Sequence, residues 1–188
     1  MSNNNLFEQE YARVTTQAAV RARQLIVAWV MADEPTAQRV RADLVAIQKQ
    51  QTELGGYPHT EWEVLVATIG LFALGDRLAV FGVNIDKQAP GDPIPDGVVE
   101  MLDEDISEET DHPRKLALRV VRALADGDDY HVEVNRLLGG TVDFWPLVTA
   151  QCDLIVAERM RQARAKLLTE CLDGIAALLG RNDAEPEQ

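Results

Sequence analysis

Apolar residues recur every three or four positions along most of the chain, a spacing that predicts helices. Phe7, Tyr11, Val14, Ala18, Ala22, Leu25 and Trp29 share one face of a long first helix from Leu6 to Met31. In "ADEPTAQ", Asp33 suits a helix cap and Pro35 the first turn, since proline has no N–H to lose there. Ala37, Val40, Leu44, Ile47 and Leu54 carry the pattern through a second helix, which Gly55 and Gly56 end. A third opens at "HTEWEVL", where Thr60 and Glu63 have the spacing of a capping box. It continues through the most apolar run, Val64 to Val83, and stops near Gly82.

That run has the length of a membrane span, but Asp76 and Arg77 interrupt it, and charges are costly in lipid. A helix buried in the middle of a bundle accounts for it better. Buried charges need partners, and the two are expected either to reach water at the helix end or to pair with residues such as Arg21 or Glu158.

From Gly82 to Pro113 the pattern changes. Pro90, Pro93, Pro95 and Pro113 fall among glycines and the string "EMLDEDISEETD", which holds seven carboxylates and no Lys or Arg. "GVVEML" suits a short helix, and the rest of 82–113 is expected to be one long acidic loop. After Pro113, Leu116, Val120, Val121 and Leu124 oppose Lys115, Arg119 and Arg122, giving a short helix with a basic outer face. The last helix begins near Thr141 or Asp143, with Pro146 in its first turn. Val148, Cys152, Ile155, Met160, Ala163, Leu167, Cys171, Ile175 and Leu178 trace its stripe toward Gly180. Residues 1–5 and 181–188 are expected to be disordered tails. Only "YHVEV" at 130–134 alternates with period two, and a lone strand of five has no partner. The expectation is an all-α fold, a single-domain bundle of five or six helices over 1–188 with one long Pro/Gly/acid-rich loop.

Composition narrows function mainly by exclusion. With 188 residues, 46% hydrophobic and 26% charged, the chain is of ordinary globular composition. Its net charge of −13 argues against direct nucleic-acid binding, which depends on Lys and Arg. Two cysteines are too few for a disulfide framework. On one helix, nineteen residues would hold Cys152 and Cys171 roughly 28 Å apart, and both are expected in the core. The start lacks the basic flank and apolar core of a signal peptide, so a cytoplasmic location is expected. The chain's two serines, Ser2 and Ser107, do not suggest a catalytic triad, and no phosphate-binding glycine motif occurs.

"DGDDYHVEVNRLLGG" at 126–140 is dense in ligand-type residues, but an EF-hand frame from Asp126 fails at His131 and Leu137. Its spacing fits a short capped helix that leaves His131 and its carboxylate neighbours open as a site. Glu109 precedes His112 by three and Asp128 precedes His131 by three, the spacing that carboxylate bundles use to aim two metal ligands one way. His59 is read as a turn residue.

The leading expectation is therefore a non-enzymatic protein, without cofactor, that acts by binding another protein, a basic one, and by self-association. Glu100, Asp103, Glu104, Asp105, Glu108 and Glu109 are the contact candidates, in a segment that either docks on a basic partner or covers the chain's own basic helix. The alternative is a metal-dependent hydrolase or oxidase using Glu109, His112, Asp128, His131 and Glu133. A weaker one is an acidic mimic of nucleic acid.

Overall fold

The structure is a computed structural model. It describes residues 3–53, 60–87, 92–127, 136–138 and 143–182, with side chains described for 12–53, 61–85, 87, 92–127, 136–138 and 143–173. All regular structure among them is helical. Six long helices follow in order: α1 (Asn3–Val30), α2 (Glu34–Glu53), α3 (Thr60–Val80), α4 (Asp96–Glu108), α5 (His112–Ala125) and α6 (Trp145–Asn182), with a 3-10 turn at Ile85–Lys87. No described helix is long and apolar enough to cross a membrane. The chain divides into two compact units, Met1–Val156 and Ala157–Gln188.

In the first unit α3 is the central element, packed against α1, α2 and α5 and against the 3-10 turn. Leu65, Val66, Ile69, Leu74 and Leu78 of α3 are buried with Leu25 of α1, Leu44 of α2, Val120 and Val121 of α5, and Val148 and Ile155 of α6. The stripes expected for α1, α2 and α5 bury Val14, Ala18, Ala22 and Leu25, then Ala37, Val40 and Leu44, then Val120, Val121 and Leu124. Trp62 stacks on Phe144 at 6.0 Å and donates to Gln48 Oε1. Trp29 meets Trp145 edge-on at 6.3 Å and donates to Asp153 Oδ1 at 2.6 Å, joining α1 to α6.

The ends of the helices follow local chemistry. Asp33 accepts from the Thr36 N–H and hydroxyl, with Pro35 beside it in the first turn of α2. Asp111 accepts from the Arg114 N–H to cap α5, and Asp143 accepts from the Trp145 N–H at the start of α6. α3 closes with the Val83 N–H on the Leu78 carbonyl and Gly82 N–H on the Ala79 carbonyl, a Schellman pattern that needs the positive φ of 73° at Gly82. α1 ends in the same pattern, Asp33 N–H to Ala28 and Ala32 N–H to Trp29, but the left-handed residue is Ala32, at φ 52°.

Three expectations are corrected. Most of the acidic string is helix rather than loop, because Val98 and Leu102, with half-buried Ile106, make a stripe of period four that packs on α5. Residues 3–5 and 181–182 belong to α1 and α6 rather than to tails, each added residue completing one more helical hydrogen bond. Cys171 is exposed and only Cys152 is buried, because the stripe of α6 stops being covered in the second unit, where Met160 and Leu167 are also exposed. The "YHVEV" segment, His59 and the Thr60 side chain lie outside the described residues.

Ala32 generates a stability prediction. An L-residue in the left-handed region costs roughly 1–2 kcal/mol, whereas glycine's extra unfolded-state entropy costs about 0.5–1 kcal/mol. Ala32→Gly is expected to stabilise the protein by about 0.5–1 kcal/mol, read as a higher urea midpoint at unchanged slope.

Candidate functional site

Burial on every side would use up the apolar surface of α3, yet part of one face is left exposed, at Leu71 and Ala79. Thr68, Leu71, Phe72, Gly75, Asp76 and Ala79 lie at successive spacings of three, one, three, one and three on that face, and they line a cavity of about 740 Å³ with Arg23 of α1 and residues 82–85. From Thr68 to Ala79 the floor is about 16 Å long. Leu71 is 44% exposed within it.

Local structure holds the groove open. The turn at Gly82 folds residues 83–85 back along α3, and a Cβ on Gly75 would lie 3.2 Å from Ile85 Cγ2, so the missing side chain gives that wall its place. The Thr68 hydroxyl donates to the Val64 carbonyl at 2.6 Å, so its hydrogen bond is met within the helix. Asp76 and Arg23 are the charged members, and Asp76 is half-buried. The result is a largely apolar trough with one carboxylate and one guanidinium, suited to an apolar body carrying a charge.

The acidic contact candidates divide into two sets. Asp103, Asp105 and Glu109 turn to cations of the same chain: Asp103 to Arg122 at 3.0 Å, Asp105 to Arg77 at 2.7 Å and Glu109 to Arg114 at 3.0 Å. Arg122 also pairs with Asp126. Its guanidinium pKa is raised by the hydrogen bond to Asp126 first, with Asp103 adding to it and burial opposing. Glu100, Glu104 and Glu108 remain exposed at spacing four on the outer side of α4. Arg77 thus reaches α4, a partner its sequence neighbourhood did not suggest, while Glu158 pairs with Arg161 at 2.6 Å inside the second unit.

Of the proposed ligands, Glu109 and His112 are described, and they do not share a helix. Glu109 is the extended residue that ends α4 (φ −72°, ψ 125°), and His112 is the first residue of α5, exposed. Glu109 Oε1 accepts from the Asp111 N–H and Oε2 from Arg114, so its carboxylate serves the junction between the helices. Asp128, His131 and Glu133 lie outside the described residues. Among the described residues no group of three or more His, Cys, Asp or Glu is placed to hold a metal.

Compared with known proteins, the chain matches no family model, no curated protein and no solved structure. The groove escaped sequence reasoning because its apolar residues read the same as core residues. The signal that was present is Asp76, with Gly75 and Ala79 spaced around it, which marks the side of α3 where large neighbours do not pack.

Two predictions follow from the titrating groups. The Asp33 carboxyl is held below its usual value by the Thr36 hydroxyl and N–H, and Glu109 by the Asp111 N–H and then Arg114. Carboxylates with lowered folded pKa contribute stability above their unfolded values, lost as pH falls through the folded ones, so the melting temperature should drop below about pH 4. The double variant Asp33→Asn, Glu109→Gln should start lower at pH 7 and lose less on acidification. Burial pushes the Cys152 thiol up to about 12, with Asp153 adding to it. A maleimide at pH 7.5 should therefore attach once per native chain, at exposed Cys171, and a second time only after denaturation, as mass spectrometry would show.

Proposed function

We propose that this protein is a non-catalytic interaction module whose α3 groove receives an amphipathic helix of a protein partner. The observation that carries the reading is the cavity along α3 from Thr68 to Ala79, where Leu71 and Ala79 are exposed and Thr68, Phe72 and Asp76 half-buried. An amphipathic helix presents apolar side chains at spacings of three and four, the same register as the groove floor. One feature favours a basic partner: the chain's net charge of −13, which attracts cationic surfaces at long range. Exposed Glu100, Glu104 and Glu108 add to that field without being part of the groove. The unpaired thiols of Cys152 and Cys171 suit a reducing compartment such as the cytoplasm.

A synthetic 18-residue helix with leucines on one face and lysines on the other is the probe, followed by fluorescence anisotropy. The full chain should bind it, more weakly as salt rises. Leu71→Arg should weaken binding at least tenfold. Val45→Arg, which places the same charge on exposed α2 outside the groove, should change it little. Equal affinity of the two variants would remove the groove from the reading.

A further inference from the structure

The second unit carries the complement of the groove. Beyond Val156, α6 exposes Met160 (52%), Leu167 (61%), Leu168 (63%) and Leu172 (63%), with Cys171 exposed among them. At 100° per residue these five fall within an arc of about 140°, on one side of the helix. Arg161 and Arg164, both exposed, lie inside that arc, Arg161 between Leu168 and Leu172 and held by Glu158 at 2.6 Å. The Lys166 and Glu170 pair, 3.9 Å apart, and Asp173 occupy the opposite side. Exposed apolar residues gathered on one side of a helix are a usual mark of a contact surface.

We propose that the occupant of the α3 groove is this face of α6 from a second copy of the chain. The proposal rests on the reading of the groove as a helix-docking site and names its partner. Three observations fit the two surfaces together. Their lengths agree: Met160 to Leu172 rises about 18 Å, against about 16 Å for the groove floor. Their apolar spacings agree, three and four residues on each side. Their charges can pair, because Arg164 stands among the exposed apolar residues of α6 and Asp76, together with Arg23, lines the trough. A carboxylate has two oxygens and about four acceptor positions, so Asp76 can take a further donor alongside any it already has. The basic segment 159–166, with Arg159, Arg161, Arg164 and Lys166 against Glu158, also meets a chain that is acidic overall. One helix in one groove is a small contact, and exchange in both directions doubles the buried area and closes the assembly as a two-fold dimer.

The test uses the full chain throughout. Light scattering after size exclusion should give a dimer at micromolar concentration. Leu71→Arg, which blocks the groove, and Leu168→Asp, which spoils the α6 face, should each weaken association at least tenfold. Both positions are exposed, and unchanged circular dichroism would confirm that the variants fold. The deciding step is mixing. Leu71→Arg retains an intact α6 face and Leu168→Asp an intact groove, so the equimolar mixture should regain a one-to-one pair. Maleimide attachment at Cys171 should slow severalfold as wild-type concentration rises, and not in either variant alone. A chain that stays monomeric, or one disrupted by Leu168→Asp but not by Leu71→Arg, overturns the proposal. The leucine–lysine peptide separates this failure from that of the groove itself: Leu168→Asp should still bind it, and a monomeric wild type that binds it leaves the docking reading standing.

Discussion

The fold depends on finding cover for α3. A helix apolar on nearly every side cannot stay folded in water alone, and its neighbours must come close enough to exclude solvent without stranding polar atoms. Gly70 sets the closest approach. A Cβ there would sit 2.6 Å from Leu124 Cδ1 and 3.2 Å from Gln151 Nε2, so its absence lets α5 and α6 reach the helix backbone. Gln151, fully buried, uses that space to donate to the Val66 carbonyl at 3.0 Å. Cover is closest where α5 and α6 approach Gly70, and it is partial along the line from Thr68 to Ala79, where Leu71 and Ala79 are exposed. The groove is thus what remains when four neighbours meet the demands of one helix.

Charge has a second, subordinate role. Partly exposed ion pairs contribute little to stability, typically under about 1 kcal/mol each, so the bridges of Glu109 to Arg114 and Asp103 to Arg122 do not hold the bundle together. The Arg77 side chain is only 13% exposed where it meets Asp105. The apolar stripe of α4 fixes its contact with α5, and with that side turned inward Asp103 and Asp105 reach Arg122 and Arg77 while Glu100, Glu104 and Glu108 remain exposed. An acidic segment next to a basic helix thereby pairs with it, while Glu100, Glu104 and Glu108 remain exposed on the surface.

Much of this was legible in the residues. The stripes of α1, α2 and α5 and the stops at Asp33 and Gly82 follow from period and cap chemistry, which are local. α4 was harder because its composition speaks for a loop while two residues, Val98 and Leu102, four apart, speak for a helix, and only contact with α5 settles which prevails. The lower half of α6 was misread for the opposite reason. Met160, Leu167 and Cys171 continue the stripe that Val148, Cys152 and Ile155 begin, and periodicity reports an apolar face without reporting what lies against it. The same blindness hid the groove, since core and vacant face use the same amino acids. Asp76 was visible as an anomaly, but its place in a trough depends on the fold-back of residues 83–85.

The aromatic residues are distributed unevenly between the two units. Trp29, Trp62 and Trp145, together with every Phe and Tyr, precede residue 157. Trp29 is tied to Asp153 and edge-on to Trp145, and Trp62 is stacked on Phe144, so the indoles sit at the joints of the first unit. Ultraviolet absorbance, near-ultraviolet dichroism and intrinsic emission therefore follow the first unit alone, and the second is optically silent except through its peptide bonds. A melt followed at an indole wavelength reports the first unit, whereas one followed at 222 nm reports the helices of both, so a transition seen only at 222 nm belongs to the helix beyond Val156.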